Sequence, residues 1–468
     1  MLNLVLIMLI LPLIGCFFVC FSPENKQNAY YLSFFTLATN IVVILKLFTQ
    51  IDIPSTELSL VQTISLLDAE QFQLSFGLDA FSLILILGVY IALIIGLVGL
   101  NNQARKSKPL FFLTLYFTSN ITAFFVAGDL FSFYVFFAGM LIPLFMLVGT
   151  QTNKKTSMLL RFFIYNLVGS MFLLVGALIL YKFYHGNVKL EEIALLDMSA
   201  HVGILVWTMI CLAFISRIPV WPFHSWISSV YVNIKNPLIY IMINILPLTG
   251  LYGFVRFWPL AVPESIHSYL PWIEFFAVLT MLFIALIGLA GREFTYKLFS
   301  YTAIYYVFFL LMVILPVDTL IMNIAYSLFI FLIVTASLVV LDLLFEEKCL
   351  QQTCSYNGIL TYMPRFSLVM SFFVLTAVGL PISSLFWNNF VLVSGLFKEN
   401  FVLGLWVMGA LTLVSAGLLQ ELYVMRNLEN HNEKAENIED LSLYKQVFFA
   451  GIVIVLFLSF FNPLWFVL

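Results

Sequence analysis

Four ionisable side chains in or beside long apolar stretches of this chain are candidates for chemistry: Arg217, His224, Lys297 and Glu421. Histidine, lysine and glutamate can gain or lose a proton, so they could take part in a proton relay. Arginine keeps its proton in proteins, but its guanidinium offers a fixed charge and five hydrogen-bond donors. Charged groups in hydrocarbon are costly and persist mainly as relays or as partners of other groups. The chemistry on offer is therefore proton or ion movement.

The composition places these residues in a membrane. The 468 residues are 62% hydrophobic and only 10% charged, with a mean hydropathy of +1.06, whereas soluble domains carry about 25% charged residues. The net charge of −3 gives no indication of nucleic-acid binding. The five cysteines are scattered and form no metal-binding pattern. We therefore expect no metal, no cofactor and no redox chemistry in this chain.

The apolar runs predict an all-α polytopic membrane protein that forms one membrane domain over residues 1–468. Each run is long enough to cross about 30 Å of hydrocarbon, and helices satisfy their own backbone there. We predict about fourteen transmembrane helices, near residues 2–21, 29–49, 79–100, 109–127, 129–150, 158–183, 203–222, 237–258, 270–290, 297–315, 318–343, 366–394, 402–423 and 446–467.

The distribution of basic residues predicts the orientation. With the N-terminus outside, 15 of the 21 lysines and arginines lie in inside loops and five lie at outside ends, with Arg217 left within a span. Positive residues favour the inner side of a membrane. Both termini are therefore expected on the outer, periplasmic side.

Two of the predicted spans are interrupted. Pro219 and Pro222 break the seventh span, and Gly379 and Pro381 break the twelfth. Proline removes a backbone donor, and a broken membrane helix is tolerated only where protein or a wet cavity surrounds it. Breaks five spans apart indicate two repeats, spans 4–8 (about 109–258) and spans 9–13 (about 270–423). With five spans each, consecutive repeats would be inverted.

Several stretches resemble one family, the antiporter-like subunits of respiratory complex I. They include "FGLDAFSLILILGVYIALIIGLV", "FFAGMLIPLFMLVG", "RIPVWPFHSWI", "LTGLYGFVRFWPL" and "YMPRFSLVMSFFVLTAVGLPISSLFWNNFVLVSGLF". In order and spacing they look most like the chain M (mitochondrial subunit 4) type, over nearly the whole chain. The resemblance implies fourteen helices, two inverted five-helix repeats with broken helices 7 and 12, and a midplane chain of charged residues through which protons move, driven by quinone chemistry elsewhere in the complex.

The chain departs from the family pattern at most of its charged positions. The family's fifth-span glutamate, eighth-span lysine and twelfth-span glutamate correspond here to Ala138, Leu248 and Asn389, and the seventh-span lysine to Arg217. Two histidine positions correspond to Tyr231 and, more loosely, Tyr326. Alanine, leucine and asparagine do not titrate, and arginine in practice does not deprotonate. We therefore expect an impaired or absent proton path.

Arg217 has three interpretations. It could be a remnant of the relay, it could pair with an ion or organise cavity water, or it could be structural. The third interpretation, which we favour, has the guanidinium bonded to carbonyls that Pro219 and Pro222 set free, because a broken helix leaves acceptors unsatisfied.

The other candidates have both a functional and a simpler interpretation. His224 could shuttle protons or be a hydrogen-bonded histidine at a helix end. Lys297, near the family's basic tenth-span motif, and Glu421, a possible remnant proton stop, could each be a boundary residue that reaches to the membrane surface. Asp79 and Asp129 are expected to cap helices.

The sequence thus predicts a membrane subunit of an NADH:quinone oxidoreductase-type complex, nominally coupling electron transfer to proton translocation. It would lie among other membrane subunits in the lipid bilayer of a bacterial or mitochondrial inner membrane. Two alternatives stay open. One is a subunit of an Mrp-type cation/proton antiporter or of an ion or inorganic-carbon uptake complex, and the other is a purely structural scaffold.

Overall fold

The computed structural model describes most of the chain. The described residues are 4–23, 27–51, 59–65, 73–151, 156–184, 188–190, 193, 199–261, 270–314, 321–349, 358–381, 383–426 and 440–461.

The described residues form eighteen α-helices and a β-hairpin. The helices are α1 Leu4–Phe21, α2 Asn28–Phe48, α3 Ala80–Gly99, α4 Lys108–Val126, α5 Leu130–Gly139, α6 Leu141–Gln151, α7 Thr156–Tyr184, α8 Ala200–Ile215, α9 Ser225–Tyr231, α10 Pro237–Ala261, α11 Leu270–Ala290, α12 Phe294–Ile314, α13 Ile321–Cys349, α14 Ile359–Tyr362, α15 Pro364–Val378, α16 Ser384–Glu399, α17 Phe401–Arg426 and α18 Leu443–Phe461.

The helices agree with the prediction of a polytopic helical membrane protein. In the described part of the chain, 11 helical segments are long and apolar enough to cross a membrane, one of them made of α5 and α6 together. Three shorter apolar helices lie in α8, α15 and α18. These segments overlap the fourteen predicted spans, although the number of actual crossings stays a prediction.

Between α2 and α3, the otherwise helical chain contains two short strands. Strands β1 (Ser59–Ser65) and β2 (Gln73–Leu78) pair antiparallel, with Thr63 opposite Ser75. In the sequence of β2, QLSFGL, polar or small residues alternate with apolar ones, as in a strand with one apolar face. This hairpin packs beside the start of α5, because Phe76 forms an isolated bridge with Ala127.

Burial separates a core from an outer ring of helices. In the apolar stretches of α3, α4, α10, α12 and α13, between 83% and 100% of the residues are buried. The corresponding share in α1, α2, α7, α11 and α17 is 33% to 39%. A ring of exposed apolar side chains is expected where helices face lipid tails. The core helices are therefore the elements that could hold a buried polar site.

Both predicted helix breaks are present. The first break covers residues 216–224, between α8 and α9, and the second covers residues 379–383, between α15 and α16. Pro219 is buried inside the first break, and Pro222 is exposed there. The repeat relationship between the two halves stays a prediction.

The second break has a well-defined helix end. Gly379 adopts φ +79°, which favours glycine because it has no Cβ. The Leu380 amide donates to the Leu375 carbonyl and the Gly379 amide to that of Thr376, the two bonds of a Schellman motif. Pro381 follows on the exposed side, and the hydroxyl of Ser383 then accepts from the Phe386 amide to start α16.

Candidate functional site

Arg217 lies just past the end of α8 and is completely buried. Its Nη1 donates to the Thr249 hydroxyl of α10 at 2.7 Å, and its Nη2 donates to the Phe137 carbonyl of α5. The guanidinium also lies over the Phe137 ring, where a cation is attracted by the aromatic face. Nε has no hydrogen-bond partner within the described residues. The guanidinium thus joins α5 to α10 through neutral groups.

The expected bonds between Arg217 and the carbonyls of its own break are not among those that it makes. Within the first break, the Ser216 hydroxyl donates to the Ala213 carbonyl, and the Trp226 indole donates to the Ser216 carbonyl at 3.1 Å. The Phe137 carbonyl belongs to the last turn of α5, where a helix leaves acceptors free. Arg217 therefore contacts the last turn of α5, and not the carbonyls of the break that contains it.

Arg217 reaches the immediate neighbours of two positions where the family carries charge. Phe137 precedes Ala138, and Thr249 follows Leu248, which is fully buried. The close approach of α8 depends on the glycines of "LTGLYG", because a Cβ at Gly250 would lie 2.7 Å from the Phe214 carbonyl oxygen. Among the described residues, Arg217 is not a member of any ion pair. The seventh-span position, Arg217, therefore lies against residues adjacent to the fifth- and eighth-span positions, and it carries the fixed charge at this point.

His224 lies at the start of α9, as expected for a helix-end residue. Its ring makes an edge contact with Phe283 at 5.8 Å between centroids. Its Nδ1 is buried and has no hydrogen-bond partner in the described part of the chain.

A line of neutral polar groups crosses the core next to Arg217. Tyr231, at a family histidine position, donates to the side-chain oxygen of Asn244 at 2.6 Å. The Asn244 amide donates to Thr335 of α13 at 3.2 Å, and the Tyr306 hydroxyl of α12 donates to the Asn244 carbonyl. These four groups bind α9, α10, α12 and α13 together without an ionised member.

The second break faces another neutral group. Asn389, where the family carries a glutamate, donates to the Tyr305 hydroxyl at 2.8 Å. The Tyr305 hydroxyl lies 3.5 Å from the Ala377 carbonyl, in the last turn of α15. The side-chain oxygen of Asn389 has no partner within the described residues. The site is thus polar and hydrogen-bonded, but it has no group that titrates near neutral pH.

The interpretation of Lys297 and Glu421 as surface-reaching boundary residues is wrong. Their side chains are only 4% and 5% exposed, and they form an ion pair with each other. Lys297 also lies 3.4 Å from the side-chain oxygen of Gln420. The pair is separated by 124 positions in the sequence, so the spacing of residues gave no sign of it. A buried pair persists where its geometry offsets the cost of desolvation.

Two predicted helix caps are confirmed. Asp129 accepts from the Ser132 amide at 2.8 Å, and Asp79 accepts from the Ser82 amide at 3.0 Å. Asp79 also pairs with Arg256 of α10 at 2.6 Å, a contact that the sequence did not predict. Arg256 in turn donates to the Tyr252 hydroxyl, and this hydroxyl donates to the Phe125 carbonyl.

Tyr326, the loosely aligned histidine position, lies five residues after the start of α13 and contacts the Ser459 carbonyl of α18 at 3.3 Å. The α13 residue that faces the neutral line is Thr335. Asn244 and Thr335 were missed because single neutral residues in apolar helices carry no motif. Asp342 was also missed, although a charged residue inside the predicted eleventh span could be recognised in the sequence. Its carboxylate accepts from the Thr295 hydroxyl at 3.3 Å.

The first break holds the fixed charge of Arg217, the imidazole of His224 and neutral hydrogen bonds, and the ion pairs of the described residues lie near helix ends. Within the described part of the chain, no group of three or more histidine, cysteine, aspartate or glutamate residues is placed to hold a metal ion.

Comparison with known proteins places this geometry in a family. The family described as "NADH:quinone oxidoreductase/Mrp antiporter, TM" matches residues 127–416, more than half of the chain. NADH-ubiquinone oxidoreductase chain 4 of Marchantia polymorpha is 26% identical over 399 residues, covering 84% of this chain and 80% of the relative. NADH-quinone oxidoreductase subunit M of Rickettsia bellii is 22% identical over 468 residues, covering 97% and 94%.

The fold agrees with this family. A chain of the respiratory complex I from Thermus thermophilus superposes with a TM-score of 0.87 at 22% identity, covering 99% of this chain and 96% of that one. The matched region includes both helix breaks. The chain therefore belongs to the transmembrane family of NADH:quinone oxidoreductase and Mrp antiporter subunits.

Proposed function

We propose that this chain is a membrane subunit of an NADH:quinone oxidoreductase-type complex, of the chain 4 or subunit M kind. The proposal is supported by relatives with these names that match along 80% and 94% of their own length. Its partners are then other membrane subunits, and its environment is the lipid of a bacterial or mitochondrial inner membrane. The chain itself supplies no redox group; its nominal part is to couple electron transfer to proton translocation.

The route for protons at the first break is closed in this subunit. The observation that carries this proposal is the contact of Arg217 with two neutral groups, the Phe137 carbonyl and the Thr249 hydroxyl. A relay needs groups that change protonation, and the guanidinium does not. A fixed buried positive charge also repels an approaching cation. The neutral line from Tyr231 to Thr335 extends the closure across the core.

The orientation and the repeats belong to the same proposal. The excess of basic residues in alternate loops favours both termini on the outer, periplasmic side. Spans 4–8 and 9–13 form the two inverted repeats, and the matching breaks at residues 216–224 and 379–383 support this division.

The assignment to a complex is tested by purifying the native assembly through a tag on this chain and identifying the proteins that accompany it. We expect chains that carry flavin and iron–sulfur clusters, because electron transfer must take place elsewhere in the assembly. A set of antiporter-type partners alone would contradict the assignment.

The closed route is tested by counting protons moved per NADH oxidised in liposomes that contain the purified complex. We expect Arg217→Met and Arg217→Lys to leave this ratio unchanged, since neither removes a working relay group. Arg161→Met, which changes an exposed arginine of α7, is the matched control. A lower ratio in either Arg217 variant, at equal assembly of the complex, would show that protons pass this point.

A further inference from the structure

A cavity of about 1260 Å³ lies at one end of the core. The ends of α3, α6, α11 and α13 and the starts of α4, α10 and α12 line it, together with the last turns of α17. The fourteen-span prediction assigns all eight of these helix ends to the same membrane face. We call this the cavity face, irrespective of which side of the membrane it occupies.

The rim of the cavity is exposed and its floor is buried. On the rim, Lys235 pairs with Glu346 at 2.6 Å, and their side chains are 59% and 31% exposed. The floor holds the buried pair of Lys297 and Glu421, and Gln420, which lies against this pair, is itself exposed. A water molecule occupies about 30 Å³ in the liquid, so a cavity of this size holds tens of waters. The buried pair therefore lies within reach of bulk water at the cavity face.

Beyond the floor, few charged side chains lie in the described core helices that lead to the opposite face. Lys297 is the one charged residue of α12, and α13 carries none before Asp342. Helix α3 has none, and α10 has only Arg256 near its far end. The stretches of α3, α10, α12 and α13 between the cavity and the level of Arg256 are therefore uncharged, and the fixed charge of Arg217 lies beside α10.

We propose that the Lys297–Glu421 pair is a proton-exchange site that is open to water from the cavity face alone. In the exchange, the Glu421 carboxylate takes a proton from hydronium in the cavity and becomes a carboxylic acid, with water as the product. Lys297 keeps its proton, so the net charge of the pair changes from zero to plus one. Release reverses the same step.

Charged groups on the neighbouring elements set the field at this site. The cavity also contains Lys235, Arg292, Glu293, Asp342, Glu346 and Glu347. Four carboxylates against two basic groups attract hydronium to the rim. The proposal goes beyond the proposed function, since a one-sided site needs no path through the subunit and no particular partner.

Access is tested with single cysteines in a background in which all five native cysteines are replaced, using a membrane-impermeant thiol reagent on sided membrane vesicles. We expect Gln420→Cys to react from one face only. Ala303→Cys, deeper in α12 and fully buried, is the control and should react from neither face. Reaction of Gln420→Cys from both faces, or from neither, overturns the proposal.

Protonation is tested by infrared difference spectroscopy of the purified complex after a pH step. We expect a carboxylic-acid C=O band that appears on acidification and is lost in Glu421→Gln. Glu347→Gln, which changes an exposed rim carboxylate, should leave the band unchanged.

Two results of the infrared experiment contradict the proposal. If Glu421→Gln leaves the difference spectrum intact, another group takes up the proton. If the signal follows the Na⁺ concentration at constant pH, the pair binds a metal cation. Neither result bears on the subunit composition of the complex, so a failure here is distinguishable from a failure of the proposed function.

Discussion

Three largely buried cations show two ways of keeping a positive charge inside this fold. Arg217 is bonded to a carbonyl and a hydroxyl, Lys297 is paired with Glu421, and Arg256 is paired with Asp79. If one member of a buried ion pair is lost, the charge of the other member stays buried and uncompensated. Arginine bonded to neutral groups has no such dependence, which suits a position where the family's acidic partner is replaced by Ala138.

The Asp79–Arg256 pair provides a test at the residue scale. Arg256→Met leaves the Asp79 carboxylate, which is 2% exposed, without its charged partner. We expect a loss of about 3–5 kcal/mol, typical of breaking a buried pair, seen as a lower midpoint of thermal unfolding in detergent. The double variant with Asp79→Asn should recover part of this loss.

The matched control is Lys235→Met, which removes the exposed partner of Glu346. Exposed pairs contribute below about 1 kcal/mol, so its midpoint should stay close to that of the unchanged protein. Equal losses in Lys235→Met and Arg256→Met would show that burial does not set the strength of these pairs.

The helix elements differ in how well their sequence predicts them. Both broken spans could be predicted, because Pro219, Pro222, Gly379 and Pro381 change the backbone locally. The caps at Asp79 and Asp129 were likewise local. The pairing of Lys297 with Glu421 could not be predicted, since a long basic side chain near a helix end fits either a buried or a surface-reaching position. The hairpin was missed because its strands lie in a polar segment among apolar helices.

At the element scale, the second break depends on the left-handed backbone of Gly379. Gly379→Ala should destabilise the protein by about 1–2 kcal/mol, because a Cβ penalises this conformation. The cost is conformational, since the added atom would lie 4.0 Å from Phe386 in ordinary contact. Gly379→Asn should cost less, as asparagine tolerates this region. The unfolding midpoint in detergent measures both.

Gly409→Ala is the control for this prediction. It lies inside α17 with open space around the position of the new Cβ, and alanine is the better helix former by about 1 kcal/mol. We expect an unchanged or raised midpoint. If Gly379→Ala behaved in the same way, the second break would not require a positive φ.

At the scale of the whole molecule, the core contains polar contacts at three levels. The Asp79–Arg256 pair lies at one end, the neutral groups around Asn244 lie in the middle, and the Lys297–Glu421 pair lies at the cavity face. Among the described residues, the ion pairs of the core therefore lie near the ends of its helices. A molecule built in this way can exchange protons near a face while its centre insulates the membrane.

This arrangement predicts the outcome of restoring a family charge at the centre. Leu248 is fully buried in α10 next to the Thr249 contact with Arg217, so Leu248→Lys places a second cation beside a fixed one without an acidic partner. A lysine at the centre of a membrane helix costs about 2.5–3.5 kcal/mol, and repulsion from Arg217 adds to this cost. We expect a lower unfolding midpoint and no gain in protons moved per NADH, whereas Leu248→Met, which conserves volume, should change neither. If Leu248→Lys raised the number of protons moved per NADH, a path through the centre would already exist and would lack only a charge at this position. In that case, no other group near Ala138 and Leu248 would close the path.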